Sequence, residues 1–359
     1  MRVLHLDEQR TWRGGEQQAS WLVQGLVNAG HEVLIAGRPG SAWLADAHGG
    51  AQLERVALPL RNEFDLHSAW RLAGLVRARN IDLLHAHTSH AHSIACLARK
   101  IAGRGKVVVH RRVSFAPKGD VINRLKYAAP DRIVAVSQHV AEVLYAAGRP
   151  TSQVRVVHSA VDLARVDVHA ASREALGVPA DATLLFNAGA LVGHKDHACL
   201  LDAFARIRAE VPTAWLLIAG EGELRDEIEA RIAALGLGSC VRLLGHRKDV
   251  PAITRVADLY VSSSWSEGLG TSVLEALAAQ VPVVATQAGG VNEMVLDRET
   301  GRLVDNRNPE VLATAILETL RDPAVARDCA LRARAHVEAH FTVPRMVAGN
   351  LAVYEEVLA

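Results

Sequence analysis

Short apolar runs alternate with longer helix-patterned stretches along nearly the whole chain, and this alternation limits the fold more than any other feature. RVLHL is followed by the helical pattern EQQASWLVQGLVNAG, then HEVLIAG, and later by IDLLHAH, KVVVH and RIVAVS. Strands separated by helices pair in parallel, because a chain that crosses a sheet through a helix re-enters it in the same direction. The rhythm restarts after ASREALGVPADA with TLLFNAGA, a helix near 197–210, AWLLIAG, a helix near 223–235, VRLLG, LYVSSS, a helix from about 271 and VPVVAT. The fold expected is α/β, with two facing Rossmann-like domains of parallel sheet, residues 1–165 and 175–341, joined near 165–180. Ligands of such sheets bind beyond the carboxyl ends of the strands, which places a site in an interdomain cleft. The last stretch, TVPRMVAGNLAVYEEVLA, reads as an amphipathic helix over 342–359 that docks back onto the N-terminal domain.

With 359 residues, 50% apolar and 22% charged, the chain is neither disordered nor fibrous. A net charge of +1 argues against a general nucleic-acid binder, yet Arg99 to Lys126 carries nine Lys or Arg against one acid, Asp120. Cys96, Cys199, Cys240 and Cys329 form no CxxC, so neither a disulfide framework nor a zinc ribbon is indicated. No apolar stretch reaches the roughly 18 residues of a membrane span. MRVLHL runs into Asp7 and Glu8 too early for a signal peptide, so a cytoplasmic protein that meets any membrane from outside is expected.

The string SEGLGTSVLEALAAQVPVVATQAGGVNEMV, residues 266–295, holds the most chemistry. Gly268 and Gly270 form a turn directly before a helix, so free backbone N–H groups and the positive helix end can receive phosphate oxygens. Glu267 precedes that helix and Glu275 lies one turn inside it, which lets them reach different parts of one ligand. A carboxylate that accepts ribose hydroxyls is a familiar way to hold a nucleotide. Gly14 and Gly15, between the first strand and first helix, suit either an ordinary turn or close phosphate approach.

These strings, together with RGGEQ, DRIVAVSQHV, IAGEGELRDEI and VRLLGHRKDV, resemble the retaining glycosyltransferases of family 4, which have the GT-B architecture. The resemblance spans most of the chain and implies sugar transfer from a nucleotide-sugar donor with retention of anomeric configuration, with no cofactor and no obligatory metal. It makes Glu275 the ribose-binding acid, Glu267 the acid near the donor sugar, and Lys195 in GHKDH the lysine on the donor diphosphate. Gly15, Gly268, Leu269, Gly270 and Thr271 complete the donor cradle, Arg247 lies where the family holds the base, and His110 matches the histidine facing the reacting sugar. Arg111 and Arg112 line the acceptor side of the cleft. Preorganised cations and amides would stabilise the leaving diphosphate where another enzyme uses a metal, and the sequence has no DxD pair. The chain departs from the family pattern at Ala190, where an arginine is usual, and in HSAVD, where His158 and Ala160 replace asparagine and glycine; Arg111, Arg112 or His194 are candidates to supply the missing cation.

His85, His87, His90 and His92 crowd the stretch IDLLHAHTSHAHSIA. Read as a strand followed by a helix capped by Thr88 or Ser89, the stretch need not bring the four together, so no metal site is assigned and His87 is given a cleft-lining role. The resemblance points to a glycolipid or oligosaccharide acceptor, most like the lipopolysaccharide branch, and the basic segment to peripheral contact with an anionic inner membrane face. A nucleotide-sugar epimerase of the same architecture is disfavoured because SEGLGTSVLEA belongs to the transferases; a non-catalytic nucleotide-sugar binding protein stays open because of Ala190.

Overall fold

Residues 1–50 and 53–359 are described by a computed structural model, in which the chain divides into two units, 1–160 with 343–359, and 161–342. The first holds seven parallel strands, β1 (Arg2–Asp7), β2 (Glu32–Gly37), β3 (Glu54–Ala57), β4 (Leu83–Ala86), β5 (Lys106–Arg111), β6 (Arg132–Ala135) and β7 (Val154–Val156), in the order β3-β2-β1-β4-β5-β6-β7. The second holds six, β8 (Thr183–Ala188), β9 (Ala214–Ala219), β10 (Val241–Gly245), β11 (Leu259–Ser262), β12 (Val283–Thr286) and β13 (Arg302–Val304), in the order β10-β9-β8-β11-β12-β13. Each sheet therefore reverses its winding once, between β1 and β4 and between β8 and β11. A crevice opens at such a switch point, beyond the carboxyl ends of the two strands.

Helices cover both faces, so the central strands are apolar nearly throughout: Leu4, Leu6, Leu84 and Val107 pack under one helical layer, and Val3, Leu83 and Val108 under the other. The second layer includes the helix Gly14–Asn28 and the C-terminal helix Val343–Leu358, which belongs to the first unit. These two helices come so close that a Cβ on Gly25 would lie 2.4 Å from Val347 Cγ2. Met346, Val353, Tyr354 and Val357 complete this core. The boundary between units falls at Ala160 and Val161, earlier than the linker expected near 165–180.

Candidate functional site

In the second unit, the segments after β8 and β11 meet at the switch point. Beyond β8 the chain passes Gly189 and forms a short turn, Gly193–Lys195, before the helix His197–Glu210, which Asp196 caps by accepting from Cys199 N at 3.3 Å. Beyond β11, Ser263 Oγ donates to the Lys195 carbonyl at 2.8 Å, and Trp265 donates through its backbone N to the His194 carbonyl and through Nε1 to that of Gly193. These bonds hold Lys195 beside Glu267: Nζ donates to Glu267 Oε1 at 2.6 Å, and the same oxygen accepts from Ser264 Oγ at 2.7 Å.

The turn from Gly268 to Gly270 then enters the helix Thr271–Ala278. Gly270 sits at φ +97, a conformation that glycine adopts without strain, and as the helix cap it offers no side-chain acceptor to the first-turn N–H groups. The turn is pressed against Gly290, where an added Cβ would lie 2.2 Å from the Gly268 carbonyl oxygen. Leu269 turns its side chain into the core, while Thr271 is half-buried. Glu275 is largely buried, with Arg165 Nε 3.5 Å from Oε1; burial pushes its carboxyl above the ordinary range and Arg165 pulls it back. Arg165 escaped sequence reasoning because it comes from the short helix Leu163–Val166, far from any motif.

Arg247 follows β10 and is exposed, paired with Asp249 at 2.8 and 2.7 Å. Ala190 brings no cation to the β8 end, but Arg307, which the sequence reading passed over, lies with its guanidinium 4.4 Å above the Trp265 ring.

In the first unit, parallel register gathers four histidines on one sheet face. His5 of β1 pairs with His85 of β4, which pairs with Val108 of β5, so His87, just past the end of β4, and His110 of β5 each fall two residues further along, on the same face. His5 Nδ1 is 2.8 Å from His87 Nε2, His110 Nδ1 is 2.7 Å from His85 Nε2, and His85 Nδ1 is hydrogen-bonded to the Tyr354 hydroxyl. Arg112 Nη2 lies 3.3 Å from His87 Nδ1, and its stem runs past Gly15, where a Cβ would meet Arg112 Cδ at 3.5 Å. Burial pushes His5 down to about 3 and holds His85, His87 and His110 well below the ordinary imidazole value. Burial likewise lowers Arg112 to about 10, against the pull of Glu16 and Asp7. His5, His85 and His87 bring ring nitrogens within 4.8 Å of one another, a set able to hold a metal ion. Of their ring nitrogens His5 Nε2 is the one left without a partner, so an ion would have to displace the contacts just described.

The crowded histidines thus divide. His85 and His87 converge, but with His5 and His110 rather than with their sequence neighbours. His90 and His92 lie on the helix Ser89–Ala102, whose first N–H groups are received not by Thr88 or Ser89 but by Glu8, which accepts from His90 N and Ala91 N at 3.3 and 3.2 Å. His92 Nε2 donates to the Lys126 carbonyl at 2.9 Å. His87 is buried in the cluster rather than exposed on a surface. Arg111 turns away from the histidines, donating to the Tyr127 hydroxyl at 2.6 Å and to the Phe115 carbonyl. His5 was missed because RVLHLD, read alone, gives one histidine in an apolar strand; only the register shows its neighbours.

Residues 12–165 match the family model for Glycosyltransferase Family 4 and residues 168–336 that for Glycosyl transferases group 1. The chain is 29% identical over 320 residues to the lipopolysaccharide core biosynthesis glycosyltransferase LpsE of Rhizobium meliloti, covering 86% of each chain. It is 30% identical over 328 residues to a D-inositol 3-phosphate glycosyltransferase of Salinispora arenicola, covering 80% of this chain and 72% of that one. The crystal structure of Anabaena HepE in complex with UDP-glucose superposes with a TM-score of 0.87 at 22% identity, over 99% of this chain and 100% of that one. Two parallel-sheet domains with these matches, one family model in each, show that the chain belongs to glycosyltransferase family 4 and is a glycosyltransferase of the GT-B fold.

Proposed function

We propose that this enzyme transfers a sugar, with retention of anomeric configuration, from a nucleotide-sugar donor to a glycolipid or glycan acceptor of the bacterial cell surface, of the lipopolysaccharide core kind. The observation that carries the reading is the Lys195–Glu267 pair, held at 2.6 Å beside the glycine turn before Thr271. A diphosphate set there would take Lys195 and the uncapped first-turn amides, and Glu275 would take the ribose hydroxyls. The bond from the anomeric carbon to the phosphate oxygen breaks, a bond to an acceptor hydroxyl forms, and the hydroxyl proton leaves with the released nucleotide. Charge that builds on the diphosphate is met by groups already in place, so no metal ion is required. LpsE, named for lipopolysaccharide core synthesis, supports the acceptor class, and HepE, solved with UDP-glucose, supports the donor class.

A panel of nucleotide sugars screened by thermal shift selects the donor, since only a ligand of the folded state raises Tm. The product anomer is then read by NMR after transfer to lipopolysaccharide core fragments. Retained configuration supports the proposal. Inverted product, or conversion of the donor to its epimer without any acceptor, would overturn it.

The same reading includes peripheral contact with an anionic membrane face and no dealings with nucleic acid. Its support is the helix Val121–Ala128, which exposes Val121, Ile122 and Leu125 next to Arg124, with Lys118 just before it. Among the described residues no helix is long and apolar enough to cross a membrane.

A further inference from the structure

The hydrogen bonds among the buried histidines have a direction that follows from what each end group can do. A guanidinium only donates, so Arg112 Nη2 must give a proton to His87 Nδ1. His87, neutral in its buried position, then carries its own proton on Nε2 and donates to His5 Nδ1. That leaves the His5 proton on Nε2, the atom with no partner. The second line starts at Tyr354. Its hydroxyl is fully buried and His85 Nδ1 is its one hydrogen-bond partner among the described residues, so accepting there would leave the phenol's own proton unbonded; Tyr354 is the donor. His85 therefore accepts at Nδ1, bears its proton on Nε2 and donates to His110 Nδ1. His110, at the carboxyl end of β5, is left with its proton on Nε2.

We propose that Tyr354 and His85 are positioning residues that hold His110 as the neutral Nε2–H tautomer, so that it meets the substrate as a hydrogen-bond donor and not as a base. The inference rests on the reading of His110 as a site residue and adds what that reading lacks, the protonation state and the residues that set it. Tyr354 comes from the C-terminal helix, 269 positions from His85 in sequence. That helix thus does more than complete a core: its one hydroxyl in the cluster fixes the proton pattern of two strands. A hydroxyl or ring oxygen of a sugar is the kind of acceptor that an Nε2–H can serve.

Nitrogen-15 NMR of histidine-labelled enzyme reads tautomers directly, and His110→Gln identifies which resonances belong to His110. Nε2 protonated and Nδ1 bare on His110 throughout pH 6 to 8 is the expected result; a proton on Nδ1, or on both nitrogens, would overturn the proposal. In Tyr354→Phe, His85 loses the donor that fixes it, so the Nδ1–H tautomer of His110 should become populated. At equal populations kcat falls about twofold in proportion to the competent fraction, with KM little changed. A tautomer and kcat both unmoved in folded Tyr354→Phe would remove Tyr354 from the role. The wild-type spectrum decides the tautomer even if the variant does not fold. Full activity in His110→Ala would sink the site reading instead, and the spectrum would still report the tautomer.

Discussion

Lys195 and Glu267, 72 positions apart, form an ion pair at 2.6 Å across the switch point of the second sheet, with side chains 18% and 11% exposed. Each partner keeps the other in a form a donor can use: the carboxylate holds the ammonium extended, and the ammonium offsets the cost of a half-buried acid. Lys195→Ala should remove the cation on the leaving diphosphate and leave Glu267 without its ion partner. Charge-assisted contacts contribute about 1.5 to 3 kcal/mol, so kcat/KM should fall by roughly ten- to a hundredfold or more. Glu275→Ala should lose a comparable factor, expressed mainly in donor KM because the ribose does not react. Steady-state kinetics on variants with unchanged circular dichroism decide it; near-normal values in both would move the donor site elsewhere.

Gly290→Ala isolates the glycine turn without touching a charged group. The new Cβ would press on the Gly268 carbonyl at 2.2 Å and on Leu269 Cα at 2.8 Å, both backbone, so the turn itself must shift. Overpacking of this kind costs about 1 to 3 kcal/mol, and donor binding should weaken along with it. Urea denaturation and donor titration by calorimetry measure the two effects. A variant of unchanged stability and affinity would show that the turn tolerates movement.

Much of this was legible in the sequence. The central strands are apolar enough to declare themselves, and SEGLGTSVLEA marks its own turn and helix. What the sequence reading missed shares a physical cause: it depends on partners distant in the chain. β3, β7 and β13 are edge strands, three or four residues long, and β3 is mostly exposed, so none has the apolar run that announces a buried strand. Glu8 caps a helix whose bonded amides lie 82 and 83 positions later, which no local capping rule can find. The histidine cluster needs His5, contributed by register, and Tyr354, contributed by the last helix. Crowding in sequence was a poor guide, since His90 and His92 went to another part of the unit.

Acid stability should report the buried histidines. Burial holds both His5 and His92 at about 3, against an ordinary value of 6.5. Between those values the unfolded chain binds a proton that the folded chain refuses, so stability falls as pH drops from 6.5 toward 3 and is unaffected by these groups above it. Well below 6.5 each such histidine contributes a slope of about 1.4 kcal/mol per pH unit. Asp7, Glu8 and Glu275, whose carboxyls burial pushes up, act in the opposite sense. The difference between wild type and His92→Gln removes their influence, because only one titration changes. Urea midpoints from pH 7 to 4.5 should converge for the two proteins as pH falls; parallel curves would mean His92 is free to protonate in the folded state.

Turnover should survive chelation. Lys195 and the first-turn amides of the helix Thr271–Ala278 would receive the diphosphate, and in the first unit every ring nitrogen of His5, His85 and His87 except His5 Nε2 is already bonded, within the cluster or to His110, Tyr354 or Arg112. Assays after prolonged EDTA dialysis should match untreated enzyme. Loss restored by a divalent cation, and abolished in His85→Ala or His87→Ala, would make that cluster a metal centre.

The proposed membrane contact depends on which basic residues are free to act. Of the nine between Arg99 and Lys126, several have other work: Lys126 is only 7% exposed and pairs with Glu63 at 2.6 Å, Arg99 and Lys106 lie 3.8 and 3.6 Å from Asp131, and Arg111 and Arg112 are directed inward. That leaves Lys100, Lys118, Arg124 and Arg104, of which Lys118 and Arg124 flank the apolar stripe of Val121, Ile122 and Leu125 and Arg104 is bonded to Asn80 Oδ1 on the surface. Each cation near an anionic surface contributes about 1 kcal/mol, so the charges alone give weak binding and the apolar stripe must add to it. Co-sedimentation with vesicles containing phosphatidylglycerol should show binding that weakens as salt rises. Neutralising Arg104, Lys118 and Arg124 together should reduce it, Val121→Ser with Leu125→Ser should reduce it even at low salt, and Lys126→Gln should act only if it disturbs the pair with Glu63. Binding indifferent to lipid charge and to both sets of substitutions would mean that the acceptor reaches the enzyme without a membrane surface to hold it there.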